Sequence, residues 1–115
     1  MFENYPDFDD HAQINVRQDL GAGLSAIIAI HNDRRGPAIG GCRIMAYANF
    51  DAAMTDVLRL SRGMTYKTAI ADIPYGGGKS IIIADPRVLK DTALLHGMGD
   101  FVDSLKGRYI TSFDA

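Results

Sequence analysis

Two lysines carry the strongest chemical signal in this sequence. Lys67 closes the tetrapeptide Met64-Thr65-Tyr66-Lys67, and Lys79 follows three glycines in Gly76-Gly77-Gly78-Lys79-Ser80. Apolar residues flank both, so both are expected to be buried, and a lysine is rarely buried without a partner or a task. Ammonium groups that share apolar walls disfavour one another's charged form. One of the two can then activate water or a carbonyl near neutral pH, while the other stays protonated to bind a carboxylate. Asp114 adds a proton acceptor, and three such groups suffice for amine–carbonyl chemistry. Gly40-Gly41 and the glycines at 76, 77 and 78 strip side chains from two spots. Bare backbone admits a ligand or a second backbone; at Gly40-Gly41 a bulge is an equal alternative.

Other motifs are weaker. Gly78-Lys79-Ser80 ends like a phosphate-binding loop, but Ile73 stands where its first glycine belongs, and a strand rather than a helix follows. Gly21-Ala22-Gly23-Leu24-Ser25-Ala26 fits a relaxed dinucleotide fingerprint. A strand-like run follows it, with no helix N-terminus for a pyrophosphate, so it reads as a turn between strands. No cofactor-binding segment is expected in this chain. His11, His31 and His96 are far apart and Cys42 has no spaced partner, so no metal site is expected. Cys42 reads as a small buried filler and the tyrosines as core-edge residues.

The elements that must hold the lysines follow from periodicity. Residues 12–19 alternate weakly, as a half-buried strand does, and residues 24–31 are apolar on both faces, as an interior strand is. A third strand is expected over 38–47, interrupted by the glycine pair. A helix capped by Asn49 or Asp51 should carry Ala53, Val57, Leu60, Met64, Lys67 and Ala71 on one inward stripe. A short bridge then leads to a buried strand over 80–84. A second helix over 88–105 should turn Leu94, Leu95, Met98, Phe101, Val102 and Leu105 inward, before a last strand over 108–112. The first eleven residues read as a loose arm or a short helical lead-in. This order predicts one α/β domain with a mixed, mostly parallel sheet and flanking helices.

Composition narrows the function classes. A formal charge of −2 without a basic cluster gives no reason to expect nucleic acid or an anionic membrane surface. No apolar run approaches the ~20 residues of a membrane span, and the first residues do not read as a signal peptide. A single cysteine excludes an intramolecular disulfide and fits a cytoplasmic setting.

Three motifs in order, Gly36-Pro37-Ala38-Ile39-Gly40-Gly41-Cys42-Arg43, Leu60-Ser61-Arg62-Gly63-Met64-Thr65-Tyr66-Lys67 and Gly76-Gly77-Gly78-Lys79, resemble the N-terminal domain of the glutamate/leucine/phenylalanine/valine dehydrogenases. The similarity runs from about Ala12 to Asp114. It implies that residues 1–115 form a substrate-binding and oligomerisation domain, with NAD or NADP bound by a second domain absent from this chain. It implies reversible oxidative deamination of an L-amino acid to its 2-oxo acid and ammonia, and a homo-oligomer. Carried over by residue, Lys67 grips the substrate α-carboxylate and Lys79 is the low-pKa lysine that polarises water and the carbinolamine oxygen. Gly40, Gly41 and Met64 line the pocket, and Asp114 shuttles protons.

Glutamate-specific members have a lysine before the glycine pair; this chain has Ile39. An isoleucine leaves a distal carboxylate unpaired, which is costly, so leucine, valine, isoleucine or phenylalanine is the expected substrate. The wording of the motifs is closest to the leucine and phenylalanine branch. Ser112-Phe113 before Asp114 departs from the family, which has an acid or proline just before that aspartate. Without a nucleotide domain the chain alone is expected to be inactive. The competing expectation is a non-catalytic amino-acid or oxo-acid binding module, or an assembly subunit, derived from the same domain.

Overall fold

The run that is apolar on both faces becomes an interior strand because a helix covers each face of the sheet. In the computed structural model, which describes residues 1–88 and 91–112, β2 (Leu24–Asn32) pairs antiparallel with β1 (Gln13–Asp19) and with β4 (Gly76–Ile83). Strand β3 (Ala38–Met45) runs parallel to β4, and β5 (Tyr109–Ser112) runs parallel to β3. The order across the sheet is β1-β2-β4-β3-β5. This is the expected mixed α/β sheet with flanking helices, its pairings divided evenly between parallel and antiparallel.

Helix α1 (Phe50–Ile70) lies on one face and α2 (Thr92–Asp103) on the other. Ile27, Ala29 and Ile81 pack under Ala53, Met54, Val57 and Leu58 of α1. Leu24, Ala26, Ile28, Ile30 and Ile82 pack against Leu94, Met98 and Phe101 of α2, with Leu105 and Tyr109. Each fully buried leucine or isoleucine contributes roughly 1.5–3 kcal/mol, so the period-two alternation of β2 serves two cores at once. Among the described residues no helix is long and apolar enough to cross a membrane.

Capping sets the helix starts. The Asn49 side chain accepts the Ala52 N–H at 2.8 Å, and α1 begins at the next residue. Helix α2 begins later than residue 88: Asp91 caps it by accepting the Ala93 N–H at 2.9 Å, and Pro86–Val88 forms a separate 3-10 turn. Leu95, expected inward, is exposed. The arm forms a 3-10 turn, Phe2–Asn4. Gly21-Ala22-Gly23 is the turn between antiparallel β1 and β2, with Gly23 at φ 67°, a value that a side chain disfavours.

The buried seam of α1 is Ala53, Met54, Val57, Leu58, Ser61 and Thr68, rotated from the expected stripe. Ser61 and Thr68 tolerate burial because their hydroxyls donate to the Leu58 and Thr65 carbonyls, each at 3.0 Å. With Thr68 turned inward, Lys67 is turned out: it is exposed, which corrects the expectation that both lysines are buried. The second correction concerns the three glycines. They belong to β4 itself rather than to a bridge before it.

Candidate functional site

Strand β4 alternates across the sheet, so Gly77, Lys79 and Ile81 face α1 while Gly78, Ser80 and Ile82 face α2. Lys79 is therefore aimed beneath the later turns of α1 and is half-buried. It opens on a cleft of about 460 Å³ lined by Ile39, Gly40, Gly41, Met64, Lys79, Ile110 and Thr111. Strand register builds its apolar side: Ile39 of β3 stands beside Ile110 of β5, and Met64 closes over from α1. Lys79 is the one ionisable side chain among these described lining residues.

The glycines are, for the most part, room for the protein itself. A Cβ on Gly40 would stand 1.8 Å from the Gly78 carbonyl oxygen, and one on Gly77 would stand 2.1 Å from the backbone nitrogen of Thr65. Gly78 lies against the Tyr109 ring, 2.9 Å from where its own Cβ would be. Close strand and helix packing uses each of these three glycines, so of the two expected occupants of the bared backbone the protein's own atoms take these places. Gly41 differs: the atom nearest to its missing Cβ is Nζ of Lys79, at 3.3 Å. Its bareness makes space for the ammonium.

The glycine pair is fixed from the opposite face. The Tyr109 hydroxyl lies 3.1 Å from each of the Gly40 and Gly41 carbonyls and 2.9 Å from Ser80 Oγ. Tyr109 is buried, and burial pushes its phenol up to about 12. Cys42 packs beside it as a partly buried filler, its thiol likewise pushed up by burial.

Of the residues singled out in the sequence, Ile39, Gly40, Gly41, Met64 and Lys79 come together in this cleft. Lys67 does not line it; it sits one turn beyond Met64 on α1, about 4.5 Å further along the axis. Asp114 lies outside the described residues. Sequence reasoning missed Ile110, Thr111 and Tyr109, whose places depend on the parallel pairing of β5 with β3. No local pattern encodes that register. Distance along the chain also hides the meeting of His11 and His31, whose rings lie edge-on at 4.7 Å.

Among the described residues the arrangement offers the Lys79 ammonium in a largely apolar cleft floored by bare backbone. Such a site favours an oxygen anion, or a carbonyl gaining negative charge, attached to an apolar group.

Comparison with known proteins bears on that chemistry. Residues 10–114 match the family model for the Glu/Leu/Phe/Val dehydrogenase, dimerisation domain. The chain is 50% identical over 110 residues to a phenylalanine dehydrogenase from Caldalkalibacillus thermarum, a match covering 96% of this chain and 30% of that protein. It is 50% identical over 105 residues to a leucine dehydrogenase from Bacillus subtilis, covering 91% of this chain and 29% of the relative. Its fold superposes on a crystal structure of L-tryptophan dehydrogenase from Nostoc punctiforme with a TM-score of 0.86 at 53% identity, over 90% of this chain and 31% of that one. The chain thus spans under a third of the length of these proteins.

Proposed function

Because this chain belongs to the Glu/Leu/Phe/Val dehydrogenase family through its dimerisation domain, we propose that residues 1–115 are the substrate-binding and oligomerisation domain of an NAD- or NADP-dependent amino-acid dehydrogenase. The substrate is an apolar L-amino acid (leucine, valine, isoleucine or phenylalanine), interconverted with its 2-oxo acid and ammonia. The observation that carries this reading is Lys79, a half-buried ammonium that shares its cleft, among the described residues, with Ile39, Met64, Ile110, Thr111 and the bare backbone of Gly40 and Gly41. A cation acts most strongly on a carbonyl where water is scarce.

We assign to Lys79 the stabilisation of oxyanion character as ammonia adds to the carbonyl carbon or, in the reverse direction, water adds to the imine carbon. Lys67, exposed on the next turn of α1, reaches for the α-carboxylate, and Asp114 exchanges the protons. Ile39, Met64 and Ile110 hold the side chain. A distal carboxylate finds no second cation among the described lining residues, which supports an apolar substrate.

A nicotinamide dinucleotide, when bound, supplies the hydride acceptor. The described residues do not fit it: Gly21-Ala22-Gly23 leads into a strand and the glycines at 76, 77 and 78 lie inside one, so neither presents a helix N-terminus to a phosphate. We assign the dinucleotide to a separate domain.

The test is a titration of 2-oxoisocaproate into the chain, followed by NMR. Binding should be lost in Lys79→Ala and weakened in Lys67→Ala, and 2-oxoglutarate should bind more weakly. Equal binding of the two oxo acids refutes the apolar specificity. The chain alone should form no NADH from L-leucine and NAD; steady NADH formation refutes that part.

A further inference from the structure

Beside the cleft, a chain of hydrogen bonds that the lysine chemistry does not use ties three elements together. His31, in β2, is buried; its Nδ1 lies 2.7 Å from Thr65 Oγ1 and its Nε2 lies 2.9 Å from Asp9 Oδ2. An ionised carboxylate only accepts, so Nε2 carries the hydrogen toward Asp9, while Nδ1 pairs with the Thr65 hydroxyl. His11 lies edge-on to this ring. Its Nδ1 accepts the Asp9 N–H at 3.1 Å, leaving Nε2–H to face the Leu58 carbonyl at 2.9 Å and Ser61 Oγ at 3.0 Å. The arm before β1 thus grips α1 at two successive turns, directly at Leu58 and Ser61 and through His31 at Thr65.

Thr65 is where α1 meets the glycines of β4, one turn and more beyond the packing of Leu58 on Ile81. A Cβ on Gly77 would lie 2.1 Å from its backbone nitrogen and 2.3 Å from its Oγ1. Its neighbour Met64 lines the cleft, and Lys79 stands two residues beyond Gly77 on the same face of β4. This contact is therefore the α1–β4 contact nearest in sequence to both Met64 and Lys79.

We propose that Asp9, His31 and Thr65 are positioning residues for the cleft, making the N-terminal arm part of the apparatus that places α1 over Lys79. The affinity readout below rests on the functional reading given above; the geometric readout does not. Thr65→Val keeps the branched shape and removes the hydroxyl, whereas Thr65→Ser keeps it. Asp9→Ala removes the acceptor at the other end, whereas Asp9→Asn retains an amide oxygen.

The experiment follows the Met64 methyl resonance in the 115-residue chain labelled at its methionine methyls, with the melting temperature measured alongside and 2-oxoisocaproate titrated. Thr65→Val and Asp9→Ala are expected to displace the resonance and to weaken 2-oxoisocaproate about tenfold, the worth of one part-buried hydrogen bond. Thr65→Ser and Asp9→Asn should restore both. Lower melting temperatures with an unmoved Met64 resonance overturn the proposal, as does a displaced resonance with unchanged affinity. A displaced resonance in a chain whose wild type binds no oxo acid upholds the positioning and sinks the functional reading instead. Asp9 is half-exposed, so Asp9→Ala decides the matter if Thr65→Val does not fold.

Discussion

The ammonium of Lys79 lies 3.3 Å from the point where a Cβ on Gly41 would stand, whereas the same atom on Gly40 would stand 1.8 Å from a backbone oxygen. Two adjacent glycines therefore differ in kind. Gly41→Ala should be absorbed by a shift of the flexible lysine end, leaving the melting temperature nearly unchanged while weakening 2-oxoisocaproate. Gly40→Ala drives a methyl into the Gly78 carbonyl and should cost at least about 3 kcal/mol. Thermal melts beside oxo-acid titrations separate the two; equal stability losses would contradict the distinction.

Ile39 stands beside Ile110 in the proposed cleft. Ile39→Lys puts a second cation among apolar walls, where a distal carboxylate of the ligand can pair with it. Affinity should turn from 2-oxoisocaproate toward 2-oxoglutarate, by about tenfold or more in their ratio. Calorimetric titration of both acids measures the ratio, and an unaltered ratio removes Ile39 from the side-chain subsite.

Tyr109 predicts alkaline behaviour. Its folded pKa is raised, to about 12, and burial is the main cause. The neutral phenol is the form the fold stabilises, so the contribution is complete below the unfolded value of about 10 and is lost as pH rises toward about 12. The loss is on the order of 2–3 kcal/mol. Tyr109→Phe should remove this alkaline limb and lower stability at neutral pH by about 1–2 kcal/mol, through loss of the one phenol hydrogen that the Gly40 carbonyl, the Gly41 carbonyl and Ser80 Oγ share. Urea denaturation between pH 7 and 11 reads both effects.

His11 predicts the acid side. Burial lowers its pKa, against the opposing pull of its bond to the Leu58 carbonyl. His31 and Arg62 act in the same direction as burial, and Asp9 acts against it. Neutral His11 is the form the fold accepts. Its stabilisation is complete above the unfolded value of about 6.5 and falls as pH drops below it. Urea midpoints taken from pH 7.5 to pH 5 should decline in the wild type and decline less in His11→Phe. Parallel declines would assign the acid sensitivity to other groups.

Much of this architecture is readable from periodicity and punctuation. β2 declares itself by an apolar run too rich in β-branched residues for a surface strand, and Asn49 marks the start of α1. The cleft residues on β3 and β4 are readable because glycine and lysine are costly choices inside a sheet. Lys67 is misplaced by a stripe drawn through Leu60, Met64 and Ala71, which ignores that serine and threonine can enter a helix seam by bonding back to the previous turn. The glycines of β4 resemble a bridge because glycine weakens an isolated strand; their need arises from Thr65, Tyr109 and Asn32, which approach from distant parts of the chain. Ile110 and the Asp9–His31–Thr65 chain depend on pairings across many residues, which no window of sequence contains.

The floor beneath Lys79 is made of main chain pressed against main chain, and its sides are three separate side chains borne on three different elements. Evolution, or a protein engineer, can exchange Ile39, Met64 or Ile110 for larger or smaller groups one at a time while the platform below stays put. Under the proposed function, a scaffold of this kind would change substrates by redecorating its sides, because rebuilding its base would cost the fold.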